Sequence, residues 1–419
     1  MATRAIQAAI DAAAARGGIV LLAHGEYPSG TIVLRSRVRL EVAKGARLVA
    51  STSLADYPEH VASRRTVMDT NMGMSQSLIF AEGCTHISIA GEGTIDGRGD
   101  RTNFPGAETT HATPGRPFLI RVLDCTRVHV AGITLLNAAC WMQNYLNCDE
   151  LLLEHLTVSN QSNFNNDGID IDGCRQVIVR GCLINSEDDG LCFKGASQRP
   201  TDQVLVEDCR IYSTCNAVKF GTDSQGDFRN VLIRRIETGG PPQELPAFHR
   251  RNAISGFSWE SVDGGTVEDV YAYDVRIVRS ASPIFLRLGD RARVKPGDPR
   301  PAPGHLRRIV FDGVTGSDNG ARGSLILGLP ERPIEDVVLS RFSLGVAPAN
   351  RPPPLEDAIL EQRDTYPDAD AMIGELSPAY ALWSRHARRI VLANVRVQPT
   401  GRDPRPAYKC SDVQEFCTS

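Results

Sequence analysis

The sequence predicts an all-β fold, a single-stranded parallel β-helix in which short strands stack coil upon coil. Three observations carry this. A pattern recurs along the chain: a Cys or apolar residue, two mostly polar residues, then alternating apolar positions. Its clean copies begin at Cys125, Cys148, Cys174, Thr201 and Phe228, at intervals of 23, 26, 27 and 27 residues. Each interval is rich in Val and Ile, broken by Gly, Asn and Asp, and leaves no room for a ten-residue helix. Propeller blades need about 40 residues, so coils of this length fit a solenoid better. Each strand then pairs with its counterpart one coil along, about 4.8 Å away.

The elements follow in order. Residues 3–17 read as an amphipathic helix rather than a leader peptide, with Thr3 as N-cap and Ile6 and Ile10 one turn apart. Gly17-Gly18 ends it. A solenoid exposes an apolar end, and this helix is expected to cap it. An earlier copy of the pattern runs Cys84-Thr-His-Ile87-Ser-Ile89, and later copies start at Val267, Leu306, Ile334 and Ala387. Their wider spacing indicates either one coil plus an inserted loop or two coils with one degenerate. Insertions at about 99–118, 235–262, 289–304 and 340–386 are read as loops on a single domain spanning 1–419. Cys125, Cys148 and Cys174 fall in register and read as a ladder of buried thiols. An odd total of 11 Cys with no CxxC pair argues against a zinc ribbon or a complete disulfide framework. Cys410 and Cys417 remain candidates for one terminal disulfide.

Composition narrows the function classes. With 46 basic and 50 acidic side chains the net charge is −4, which gives no electrostatic footprint for nucleic acid. No apolar run reaches the ~18 residues that cross a bilayer. The basic residues are nearly all Arg: the Lys are Lys44, Lys194, Lys219, Lys295 and Lys409.

Acidic residues concentrate in two consecutive coils, Asn165-Asn166-Asp167-Gly168-Ile169-Asp170-Ile171-Asp172 and Glu187-Asp188-Asp189-Gly190. Asp167 and Asp188 lie about one turn of the solenoid apart, so their carboxylates should stack on one face. Like charges at ~4 Å repel by roughly 1–4 kcal/mol, a cost folding does not need. Such a cluster binds a metal, or makes one carboxyl keep its proton at neutral pH. Asp170 and Asp172 alternate along a strand and read as outward, solvated groups. Lys194 and Lys219 lie beside these coils, where an ammonium would offset charge or bind a sugar hydroxyl or uronate. Trp141 and Tyr145 precede them and offer rings for a pyranose face. His129 and His155 sit within repeat strands and read as structural.

These residues resemble glycoside hydrolase family 28, the polygalacturonase-like, right-handed members of the pectin-lyase-like solenoids. The resemblance runs through Gly25-Glu-Tyr27-Pro-Ser-Gly30, Gly45-Ala46-Arg-Leu48 and Tyr57-Pro58. The family's Asn-Thr-Asp motif stands here as Asn165-Asn166-Asp167 and its Asp-Asp motif as Asp188-Asp189. The resemblance implies inverting hydrolysis, with Asp188 as general acid and Asp167 and Asp189 holding and deprotonating the water. Two family motifs are altered. The His of Gly-His-Gly is replaced by Asn216, and Phe257-Ser258-Trp259 stands where an Arg-Ile-Lys motif grips substrate carboxylates. Glu260 and Arg287 offer polar groups nearby. The substrate-binding set expected is therefore Asn165, Lys194, Asn216, Lys219, Trp141, Glu260 and Arg287, with no metal and no cofactor.

The expected activity is an inverting glycoside hydrolase acting on an α-linked, uronic-acid- or rhamnose-containing polysaccharide or oligosaccharide. A β-helical lyase using Ca²⁺ and a non-catalytic carbohydrate-binding solenoid are the alternatives. The expected partner is the saccharide alone, with no nucleic acid and no membrane, and the protein is expected as a monomer. The resemblance implies a secreted or periplasmic location.

Overall fold

A computed structural model of the chain describes residues 1–67, 75–106, 115–355 and 359–419. Among these residues 30 strands join in one parallel ladder. An early coil has three strands, such as Gln143–Leu146, Asp149–Glu154 and Thr157–Asn160. Each pairs in parallel with its equivalent in the next coil, Ile169–Asp172, Arg175–Arg180 and Leu183–Ser186.

The sequence repeat is the second strand of each coil. Its second polar residue takes left-handed backbone in coil after coil, with φ 56 at Arg127, 54 at Glu150, 56 at Gln176, 58 at Gln203 and 54 at Asn230. This bends the chain at a corner, so that the residues flanking it, such as Cys125 and Val128 or Cys174 and Val177, are both buried. The wider spacings are single coils carrying inserted loops, because Phe228 pairs directly with Val267 and Val267 with Leu306. From Phe228 onward the second and third strands fuse: Phe228–Gly239 pairs with both Thr201–Glu207 and Arg210–Ser213.

Two insertions are narrower than the sequence suggests. Strand Ala253–Ser261 runs through the ladder, which confines irregular chain there to 240–252. Strands Ile334–Val346 and Leu382–Pro399 confine the last insertion to 347–381. The terminal helix spans Thr3–Ala14 and buries Ile6 and Ile10 in the end of the core. Ala2 occupies its N-cap position, while the Thr3 hydroxyl accepts a hydrogen bond from Gly30 N at 2.9 Å.

Inside the solenoid Tyr145, Ile171, Phe193, Phe220, Trp259 and Leu286 stack in register. Phe220 stacks on Trp259 at 5.2 Å and meets Phe193 edge-on at 5.0 Å. Tyr145 is thus interior, its hydroxyl donating to Gln143 Oε1 at 2.8 Å, and does not offer a ring to a sugar. The thiol ladder is present: Cys125, Cys148 and Cys174 are buried, and Cys148 N donates to Cys174 Sγ at 3.3 Å. Cys410 and Cys417 lie exposed on the terminal strand and are not joined to each other. Among the described residues no helix is long and apolar enough to cross a membrane.

Candidate active site

Strands Ile169–Asp172, Leu191–Lys194, Asn216–Phe220 and Ala253–Ser261 lie side by side on one face. Period-2 alternation sends Ile169, Ile171, Leu191, Phe193, Val218, Phe220, Phe257 and Trp259 into the core. The intervening side chains point outward. They align as Asp170, Cys192, Lys219 and Ser258, with Asp172 beside Lys194.

Two Asp-Gly turns feed the first two of these strands. Gly168 N donates to Asp189 O at 2.9 Å and Gly190 N to Asn216 O at 2.8 Å. A Cβ on Gly168 would stand 2.4 Å from Gly190 O, and one on Gly190 would stand 2.5 Å from Ala217 O. Only glycine permits this approach, and the approach is what brings Asp167 and Asp189 together from adjacent coils.

The carboxyls and ammoniums interlock. Lys194 Nζ lies 3.3 Å from Asp170 and 3.7 Å from Asp167. Its other side faces the Trp141 ring at 4.5 Å. Lys219 Nζ lies 3.2 Å from Asp189 Oδ2, while Asn216 donates to Asp189 Oδ1 at 3.0 Å. Asp188 accepts from Asp189 N at 2.9 Å and Asn165 Nδ2 at 3.5 Å, and among the described residues no ammonium lies at ion-pair distance from it. Glu260 accepts from Ser258 Oγ at 2.5 Å, and its second, buried oxygen has no partner among the described residues. Asp167 Oδ1 is likewise buried without a partner among the described residues.

These surroundings drive the carboxyls apart. Burial, reinforced by the charges of Asp170 and Asp188, pushes Asp167 well above the usual carboxylate range. Burial takes Asp170 up to about 7 although Lys194 opposes it. Asp188 rises through burial and the adjacent Asp189 charge. At Asp189 burial has the same sense, but Lys219, Lys194 and the Asn216 amide together hold the carboxylate below its usual range. The neighbouring carboxyls of Asp188 and Asp189 are thus pushed in opposite directions, the first up and the second down.

One donor atom each from Asp188, Asp189 and Cys215 lies within 4.8 Å of the others. Calcium wants six to eight oxygens. Here burial and the Asp188 charge keep the Cys215 thiol protonated far above its usual range, and Lys219 stands beside the group. The donor set does not fit calcium.

A sequence profile described as glycosyl hydrolases family 28 matches residues 37–211, the stretch holding both aspartate motifs. The chain is 27% identical over 275 residues to a probable polygalacturonase of Vitis vinifera, covering 63% of this chain and 48% of that one. It is 26% identical over 284 residues to a probable exopolygalacturonase B of Aspergillus terreus, covering 64% and 63%. Within that stretch the chain is similar to glycoside hydrolase family 28.

The matches span about half the length of the grape relative and less than two thirds of the fungal one. The chain's fold matches the family 28 exopolygalacturonase of Yersinia enterocolitica with a TM-score of 0.71 at 17% identity, over 99% of this chain and 75% of that one. The solenoid is accordingly a right-handed β-helix.

The other expected site residues divide. Asn165 bridges Asp188 to Arg116, whose Nη2 donates to Asn165 Oδ1 at 2.7 Å. Trp141 is buried against Phe118 and Cys140, with Lys194 over its ring. Glu260 lies in the outward row beside the cluster. Arg287 stands next to Glu260 in register, but its guanidinium is engaged by the carbonyls of Glu361 and Gln362 at 2.8 and 3.2 Å. Asp170 and Asp172 face outward as expected, yet they are buried rather than solvated, because inserted loops cover this face. Asp170 is a member of the cluster that the sequence reading set aside. The signal was available: one coil on, an acid in that strand must meet Lys194. Tyr366, whose hydroxyl lies 3.4 Å from Lys219 Nζ, is 147 residues away in sequence and carried no signal.

Proposed function

We propose that this chain hydrolyses an α-linked pectic saccharide, containing uronic acid or rhamnose, with inversion at the anomeric carbon. The observation that carries this is the contrast at Asp188-Asp189. Burial raises one carboxyl above its usual range, and Lys219 and Asn216 hold the next below it. Asp189 takes a proton from water as the water oxygen bonds to the anomeric carbon. Asp188 gives its proton to the glycosidic oxygen as that carbon–oxygen bond breaks. The products are a new reducing end of inverted configuration and the freed hydroxyl of the leaving sugar. Asp167, protonated and with one oxygen unpartnered, donates a hydrogen bond that holds the water.

The oxygens of Asp188 and Asp189 approach within 4.8 Å, closer than the ~6.5–9.5 Å usual between inverting carboxyls. Asp189 is nonetheless gripped at both oxygens, which suits a base better than a nucleophile that must swing onto carbon. A lyase would need a neutral base. Burial opposes the charge on Lys219, but Asp189 and Glu260 hold it protonated far above its usual range. The same reading places the protein in an exported compartment, where its polymer is found.

The test is incubation with a panel of pectic oligosaccharides, followed by reducing-end assay, ultraviolet absorbance and proton NMR of the first-formed anomer. New reducing ends of inverted configuration, with no unsaturated product, are expected. Retention would make Asp189 or Asp167 a nucleophile, and an unsaturated product would make the protein a lyase. Asp188→Asn should lower turnover about 10²–10⁴-fold.

A further inference from the structure

The outward face of the sheet changes character on both sides of the acidic coils. Beyond Ala253–Ser261 the outward residues become Phe285, Leu325 and Trp383, aligned in consecutive coils. They form a second apolar core with Ile359, Ala369 and Met372 of the 359–373 segment, laid across the sheet from outside. Arginines fasten this segment: Arg385 donates to Ile359 O at 2.9 Å, Arg287 to Glu361 O, and Arg363 pairs with Asp290 at 3.0 Å. Its Tyr366 reaches back to Lys219.

The opposite flank is built the same way. Phe80, Leu123 and Leu146 face outward there and pack with Ala62. His60 stacks on Phe80 at 4.3 Å, and Arg121 donates to His60 O at 3.0 Å. Residues 57–67 therefore cover the coils before the acidic ones, as 359–373 covers those after.

The two remaining sides are also walled. At the strand starts Phe248 meets Phe164 edge-on at 5.3 Å, with Gln161 Oε1 accepting from Phe248 N and Asn185 donating to Pro246 O. At the strand ends the 289–304 loop is tied down by Arg291 on Asp263 and by Gln225 on Arg293 O. It runs far enough for Lys295 Nζ to donate to Arg65 O at 3.3 Å, joining the two flanks. Among the described residues the acidic coils come nearest the surface at Asp188 and Cys215, while Asp170, Lys194, Lys219 and Glu260 lie buried between these walls.

We infer that the site is a blind pocket that takes the end of a saccharide chain, not a through-groove that grips its interior. This rests on the hydrolytic reading for its product pattern but not for its binding pattern. An open groove gains affinity with each added sugar, whereas a blind pocket stops gaining once it is full.

Two measurements test it. With the wild-type protein on a long pectic polymer, the first product should be the shortest saccharide, and viscosity should fall slowly against reducing ends. Early viscosity collapse with a ladder of oligomers would overturn the pocket while leaving hydrolysis standing. With the Asp188→Asn variant, calorimetric affinity should rise by less than about threefold from trimer to hexamer, where an open groove gives tenfold or more. A steady tenfold gain overturns the pocket. No cleavage of any substrate, together with affinity that saturates by the trimer, would overturn the hydrolytic reading and keep the pocket. No binding at any length would overturn both.

Discussion

The same structural position is used in two opposite ways along one sheet. In the coils from Ile169 to Ser261 the outward row carries Asp170, Cys192, Lys219 and Ser258, with Asp172, Lys194 and Glu260 in the outward row beside it. In the coils that follow it carries Phe285, Leu325 and Trp383. The backbone ladder is alike in both stretches, and so is the apolar inward row. What differs is the covering: the first stretch opens to solvent at Asp188 and Cys215, and the second lies under the 359–373 segment. A solenoid therefore fixes where an outward side chain stands, and the inserted loops decide whether that place serves chemistry or stability.

The comparison breaks most readily at Trp383. This indole is fully buried and central to the outer apolar core. Trp383→Ala should cost about 3–5 kcal/mol of stability, read by denaturant titration. Asp188→Asn should leave the denaturant midpoint nearly unchanged while removing turnover. Equal stability losses in both would mean that the acidic stretch is structural too.

A smaller effect separates the polar row from ordinary surface acids. Burial raises Glu260 from about 4.5 to about 8, so it folds as a neutral acid. The sign follows from linkage: the unfolded chain loses this proton near pH 4.5 and the folded one only near pH 8. The associated stability is full below pH 4.5 and is lost progressively up to pH 8. Glu260→Gln, which cannot ionise, should be more stable than wild type at pH 9, by an order of several kcal/mol. At pH 4 the two should be close. Thermal melts at both pH values check this.

Lys219→Met sharpens the comparison within the site. Without the ammonium 3.2 Å from Asp189, burial is less opposed and that carboxyl must rise. In the proposed mechanism Asp189 works ionised, so the acid limb of the kcat/KM profile should move to higher pH. Activity on that limb would fall about tenfold. An unmoved acid limb would remove Asp189 from the role of base.

How far the sequence reveals all this depends on the range of the contact. Register between neighbouring coils is written in the repeat: Cys148, Cys174, Thr201 and Phe228 predict which strands pair, and the spacing of the acidic motifs predicts that Asp167 stacks near Asp188, though the ladder aligns it with Asp189. Asp170 was legible in placement but misread in environment. Alternation tells which face a residue takes, not whether a loop lies over that face. Glu260 and Arg287 are adjacent in register, yet no local signal shows that Arg287 would be spent on carbonyls 74 residues away. Tyr366 and the 57–67 cover are set by loops whose own sequences have no period, so their landing places were invisible.

The smallest expected effect concerns the inward corner rather than the outward row, and it tests whether the repeat is purely structural. Cys148 is fully buried, and its amide donates to Cys174 Sγ while its own thiol donates to Val122 O at 3.5 Å. Thiol-to-carbonyl bonds are weak, so the residue acts chiefly as a small apolar filler. Cys148→Ala should then cost only about 1 kcal/mol and leave turnover and product length alone. Reductant should change neither the variant nor the wild type, since no ladder thiol is oxidised. A loss of several kcal/mol on reduction would show that the ladder sulfurs are bonded to one another. The corner would then be held covalently, where the geometry has it held by packing.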